Sequence, residues 1–238
     1  MQLLTACPMS GRALLACGTA CVRESRKQLK QKCELEKTSQ RGGKLPFLFL
    51  SALSPYPALT EDMSRNLLKN PAGEEDMAFW ELTENGGSQW KVEELPGDSG
   101  YEFAVGGVTK YFTTSYELCL KRQVVDLLAE GYSGEDLDAQ PDVTVEDWYS
   151  GRSDCGCSYQ LSVLLLDADQ EVIQEFTNDP VTLDPDCDDC SWKQVRHTFS
   201  NYGPGLRFIS FEHGGQDTKF WDGWFGVRVT GSSVTVNA

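Results

Sequence analysis

The stretch that decides the fold is Tyr159-Gln160-Leu161-Ser162-Val163-Leu164-Leu165. Tyr159, Leu161, Val163 and Leu165 fall on one face, with Gln160 and Ser162 opposite. A period of two is the mark of a half-buried strand, because successive side chains of an extended backbone point to opposite faces. The same period recurs on both sides. Val143 and Val145 alternate with Thr144 and Glu146, and Trp90, Val92 and Glu94 alternate with Lys91 and Glu93. Val195, His197 and Phe199 alternate with Gln194, Arg196 and Thr198. Ile209 and Phe211 follow Arg207, with Leu206 and Phe208 on the other side, and Val227, Val229, Val234 and Val236 close the chain.

Turn signals interrupt these runs at Pro96-Gly97-Asp98, Gly106-Gly107, Gly203-Pro204-Gly205 and Gly214-Gly215. Short alternating strands punctuated in this way predict an all-β antiparallel sandwich or jelly roll. Only Glu117–Glu130 admits a helix; Val124, Val125, Leu127 and Leu128 read better as a buried strand. The pattern begins at Ser64, so residues 64–238 form the predicted domain. As an isolated fragment it is expected to give the circular dichroism of a β protein, and a mainly helical spectrum would end this reading.

Residues 1–63 are a different kind of sequence. Val22–Thr38 is charged and allows a helix with Leu29, Cys33 and Glu36 on one side, but its apolar stripe is thin. Gly42-Gly43 breaks it, and Pro46, Pro55 and Pro57 mark Leu45–Thr60 as a connector. Residues 1–62 hold nine Lys/Arg against five Asp/Glu, whereas residues 63–238 hold twelve against thirty-one. An acidic domain is a poor match for nucleic acid, whose phosphates call for a basic face. No apolar run is long enough for a membrane span. Met1–Cys21 imitates a signal peptide only faintly, since Arg12 sits directly before a short apolar stretch.

The chain has nine cysteines. A domain of this length can build its own core without disulfides, and no Asn-x-Ser/Thr acceptor occurs, so a reducing, cytoplasmic compartment is predicted. Cys155 with Cys157 and Cys187 with Cys190 have spacings that suit zinc. The second pair lies in a run of carboxylates and Pro that reads as a solvated loop tip, so no metal and no cofactor is predicted.

Catalytic signatures are missing. There are two histidines, and His197 alternates with apolar neighbours as a packed residue does. No nucleophile elbow, Walker loop, dinucleotide fingerprint or His-Glu-x-x-His is present, and no carboxylate pair sits in an apolar setting. A binding protein rather than an enzyme is expected. The candidate site is the aromatic stretch His213–Gly226, read as a loop with Phe220 and Trp221 at its apex. A flat ring suits the apolar C–H face of a sugar. A second stretch, Trp148–Asp154, offers Arg152, Ser153 and Asp154. There a carboxylate can accept hydroxyl protons and a guanidinium can donate a planar fork. The competing readings are a lid for Trp224 and Phe225, and a local turn held by Arg152 and Asp154.

Taken in order, Arg65–Pro71, Trp90–Gly100, Val124–Tyr132, Asp147–Cys157, Tyr202–Gly226 and Arg228–Val236 resemble the F-box-associated (FBA) domain of the sugar-recognising F-box family. The resemblance covers Ser64 to Ala238. It implies a two-sheet antiparallel jelly-roll sandwich, galactose-binding-like in kind. It also implies a pocket at one end for the chitobiose core of high-mannose N-glycans on misfolded glycoproteins. The Arg-Ser-Asp motif matches Arg152, Ser153 and Asp154, the aromatic pair matches Phe220 and Trp221, and a further aromatic matches Tyr116. Two departures stand out. Asp222 replaces a basic residue, and Gly231-Ser232-Ser233 replaces Asn-Ser-Ser. The family's route to ubiquitination and ER-associated degradation runs through an F-box that docks the Skp adaptor of a cullin ligase. Cys17–Lys37 resembles only its second half, so weak or absent adaptor binding is expected.

Overall fold

The structure is a computed structural model and describes residues 65–237. The helix expected over Val22–Thr38, the connector, the F-box remnant and the boundary at Ser64 lie outside the described residues. In chain order the elements are β1 (Glu81–Asn85), β2 (Lys91–Glu94), β3 (Lys110–Thr113), β4 (Cys119–Asp126), α1 (Gly134–Asp138), β5 (Asp142–Ser150), β6 (Cys157–Leu166), β7 (Val172–Thr177), β8 (Val181–Leu183), β9 (Lys193–Phe199), β10 (Phe208–Asp217) and β11 (Arg228–Asn237). One sheet runs β1-β4-β10-β6-β7, with β8 also on β6; the other runs β2-β3-β11-β5-β9. All pairings are antiparallel, and the two sheets form a jelly-roll sandwich. No helix among the described residues is long and apolar enough to cross a membrane.

The alternating residues build the core. Tyr159, Leu161, Val163 and Leu165 of β6 face Val143, Val145 and Tyr149 of β5, all buried, and Tyr149 stacks on Tyr159 with ring centroids 4.1 Å apart. Each buried Val, Leu or Phe contributes about 1.5–3 kcal/mol relative to exposure. Val124 and Val125 lie in strand β4, as their β-branched side chains favour, but the expected buried strand is only partly there: Val124 faces solvent, and Leu127 (buried) and Leu128 (exposed) lie in the turn after Asp126. His197 packs against Phe176 at 4.2 Å, and burial holds its pKa below the ordinary value. The single helical turn of α1 was not legible; Ser133 caps it by accepting the Asp136 N–H.

One expectation needs correcting. His213-Gly214-Gly215-Gln216-Asp217 is the end of strand β10 and not loop. A Cβ on Gly214 would lie 2.0 Å from the Cys119 carbonyl oxygen, and one on Gly215 would lie 1.8 Å from that of Ser158. The glycines let β10 press against β4 and β6, a role that in sequence looks the same as a turn.

Register fixes where the loops gather. Asn85 and Gly215 pair with Cys119, Asp217 with Cys157, and Arg228 with both Thr113 and Ser150. The β1–β2, β3–β4, β5–β6 and β10–β11 connections therefore all open at one end of the sandwich. Each crosses from one sheet to the other.

Candidate functional site

The β10–β11 connection carries the aromatics. Asp217, buried at the end of β10, accepts the backbone N–H groups of Lys219 and Phe220 on Oδ1 and so turns the chain outward. Phe220 takes a left-handed backbone (φ 62°), which is uncommon for a bulky residue and worth explaining. Phe220 and Trp221 project from the apex at 67% and 45% exposure, so neither ring is consumed by the core. Trp224 and Phe225 are half-buried and close the base of the loop, in keeping with the lid reading for those two.

The β3–β4 connection brings Tyr116 to Phe220, with centroids 5.4 Å apart. The β5–β6 connection brings Arg152, Ser153 and Asp154; Trp148, Tyr149 and Ser150 belong to β5 itself. Phe225 joins the two groups. Its ring lies edge-on to Trp221 at 5.4 Å, and the Arg152 guanidinium sits over it at 4.7 Å. All six residues anticipated from sequence thus lie on loops at the same end, and Phe225 is an addition.

The polar arm is arranged differently from a free fork. Arg152 Nε and Nη2 donate to Asp154 Oδ1 and Oδ2, both at 2.7 Å, and Ser99 Oγ donates to Oδ2 at 2.8 Å. The hydrogen bond from Arg152 is the first cause that holds the Asp154 carboxyl below its usual range, against modest burial. Two of Arg152's donors are therefore spent inside the pair, and Asp154 keeps about one of its roughly four acceptor positions. The Arg152 side chain is 8% exposed and that of Asp154 42%, so the carboxylate is the outward partner. Ser153 donates from its backbone and hydroxyl to the Ser99 carbonyl (2.9 and 3.2 Å) and faces the neighbouring loop. That loop is clamped from below by buried Arg228, which donates to the carbonyls of Pro96 and Asp98. Ser99 and Arg228 carried no sequence signal, because their partners lie far away in the chain.

Cys155 lies buried beneath the arm. Burial first, and then the charges of Asp217 and Asp154, push its thiol up to about 11, so it is a neutral packing group rather than a nucleophile. Cys157 and Cys190 are buried as well and Cys187 is exposed. Among the described residues, no group of three or more His, Cys, Asp or Glu is arranged to hold a metal ion.

Fold and site together define a jelly-roll module that displays aromatic and polar side chains on the loops of one end. A family model for the F-box associated region matches residues 58–236, and the chain belongs to that family. F-box only protein 6 of Rattus norvegicus is 53% identical over 176 residues, 74% of this chain and 62% of that protein. F-box only protein 2 of Bos taurus is 56% identical over 174 residues, 72% of this chain and 59% of that protein. The chain therefore matches about three-fifths of the length of these relatives. Among solved structures, a carbohydrate-binding module in complex with β-1,4-galactotriose has a TM-score of 0.46 at 16% identity, covering 73% of this chain and 100% of that one. That likeness is too loose to bear on function.

Proposed function

We propose that the loop end of the sandwich is a lectin-like site for the inner, chitobiose core of high-mannose N-glycans. In this reading the protein recognises misfolded glycoproteins in the cytoplasm as candidates for ubiquitination, and it binds without turnover. The observation that carries the reading is the exposed Phe220-Trp221 pair beside the Arg152–Asp154 arm, in a chain of the FBA family. Exposed large aromatics are costly unless a ligand covers them. Two rings offer faces for the C–H side of a sugar, and the outward carboxylate of Asp154 accepts a hydroxyl. Asp147 accepts the Ser232 hydroxyl and lies 2.6 Å from His213 Nδ1, but this trio does not compete as a hydrolytic centre, since all three are sealed in the core.

The test is binding of the full chain to a high-mannose glycoprotein, native and after denaturation exposes the glycan core. Binding to the denatured form that is abolished by enzymatic deglycosylation is expected; no binding by correctly folded protein would overturn the proposal. Asp154→Ala should weaken binding by about 1.5–3 kcal/mol, the scale of a hydrogen bond to a charged group, because it removes the acceptor and releases Arg152. Unchanged affinity in a calorimetric titration would remove Asp154 from the site.

A second reading, a protein-binding family member, draws on one observation. Two of the N–H donors of Arg152 are taken by Asp154, which leaves fewer for sugar hydroxyls.

A further inference from the structure

The aromatic loop does not hold its own base; a turn about 130 residues earlier in the chain does. In the β1–β2 connection, Ser88 Oγ donates to Asp222 Oδ1 at 2.8 Å and accepts the Gly223 N–H at 3.1 Å. The Ser88 backbone N–H donates to Ser115 Oγ at 2.7 Å, and that hydroxyl donates to the Gly223 carbonyl at 2.9 Å. One residue further on, the Gln89 carbonyl accepts Trp224 Nε1 at 3.1 Å. The three residues that follow Trp221 are thus all tied to this turn, whereas the Trp221 ring projects at 45% exposure and meets Phe225 edge-on.

We propose that Ser88 is a positioning residue for the sugar site: its hydroxyl fixes Asp222 and Gly223 and thereby sets the direction in which Trp221 projects. A hydroxyl suits this task because one oxygen both donates to a carboxylate and accepts an amide N–H. Alanine does neither. The bond to Asp222 is charge-assisted and hence the stronger of the two. A ring that must stack on a ligand benefits from being held before the ligand arrives, since the ordering cost then no longer falls on binding. The importance of Ser88 for sugar rests on the function proposed above, but its hold on the loop does not, and the experiment separates the two.

The full chain is compared as wild type, Ser88→Ala and Ser88→Thr by two measurements. One is the affinity for N,N′-diacetylchitobiose and for a high-mannose glycopeptide. The other is amide hydrogen exchange of residues 218–226 without ligand. Ser88→Ala should bind about tenfold more weakly, as loss of two hydrogen bonds from a half-buried site implies. It should also exchange faster across 218–226, with the β10 and β11 strands unchanged. Ser88→Thr should restore both. Unchanged exchange of 218–226 in Ser88→Ala overturns the proposal, whatever the affinity. If wild type binds no sugar but exchange rises in Ser88→Ala and falls back in Ser88→Thr, the sugar reading fails and the positioning role stands. If Ser88→Ala does not fold, Asp222→Ala removes one arm of the contact from an exposed residue. It should raise exchange of the same segment, and absence of that rise counts against Ser88.

Discussion

Trp221→Ala is expected to abolish measurable glycan binding while leaving the fold intact. Trp221 is 45% exposed, its ring meets that of Phe225 edge-on, and it lies outside the buried core cluster, so its removal opens no core cavity. Changes at such surface positions usually stay within about 0.5 kcal/mol of stability. On the binding side the position weighs far more. A small saccharide makes few contacts, a stacked aromatic contact adds about 0.5–1.5 kcal/mol beyond area burial, and a Trp at the centre of an interface often carries about 2 kcal/mol or more. A loss of that size is a factor of about 30 or greater, which takes a weak sugar complex below detection. Thermal unfolding and glycan titration of the same preparation make the check. Equal binding by wild type and variant would move the site elsewhere. A large drop in melting temperature would make Trp221 a core residue. Phe220→Ala should act in the same direction but less strongly, because a smaller ring is lost and Tyr116 remains beside it.

What the sequence revealed and what it hid divide along sequence distance. Period-two alternation is local, and it located β5, β6, β9 and the start of β10 because a strand with one buried face has no other way to read. The exposed apex Phe220-Trp221 was legible for a similar reason: aromatics between polar residues, with no alternation to bury them. Gly214-Gly215 was misleading because two physical needs select the same residue. A tight turn needs backbone freedom and a crowded strand needs the absence of a Cβ, and only the neighbours Cys119 and Ser158 tell which applies.

The supports of the site were hidden because each is a long-range pair. Ser88 meets Asp222, Ser99 meets Asp154, and Arg228 meets Pro96 and Asp98. None of these residue types is unusual where it stands, and no local pattern connects them. Arg152 and Asp154 were found by motif and proximity. Their mutual pairing follows from a guanidinium and a carboxylate two residues apart beside a half-buried ring, and it changes their roles. Asp154 is the outward-facing partner, and Arg152 mainly holds Asp154 in place and packs against Phe225.

Asp147→Ala is expected to be the most destabilising single change in the domain, at about 3–5 kcal/mol, the scale for removing one partner of a buried charged set. Asp147 of β5 is fully buried between the sheets. It accepts Tyr159 Oη at 2.7 Å and Ser232 Oγ at 2.8 Å, and it lies 2.6 Å from His213 Nδ1. The β11 irregularity between Thr230 and Ser233 turns Ser232 inward to meet it. Burial first, opposed by the Asp147 charge, drives the His213 pKa down to about 4, so at neutral pH the ring is neutral and Nδ1 is the donor. Lys121 is buried next to them with its Nζ 3.1 Å from the Trp80 ring centroid and 3.8 Å from that of Phe112. Burial drives its pKa well below the ordinary value, and Asp147 opposes the shift. Alanine at 147 would strand three donors and remove the negative charge that favours the ammonium form, all in a medium where unmade hydrogen bonds are expensive. Lys121→Met should behave very differently, near neutral or slightly stabilising. Among the described residues the amine has no hydrogen-bond partner to lose, and methionine keeps the stem packed between the rings. Urea unfolding at pH 7.5 distinguishes the two, and equal losses would show that the amine and the carboxylate act as one indispensable pair. Acid gives an independent check on the same network. The unfolded chain protonates a histidine near its ordinary 6.5 and the folded chain protonates His213 only near 4, so between those values the unfolded state holds more protons. His213 therefore contributes a fall in stability as pH drops from 6.5 toward 4, by at most roughly 3 kcal/mol. A His213→Phe variant, whatever its stability at neutral pH, should lose that part of the pH dependence; an unaltered slope across the window would mean that His213 is already protonated in the folded core.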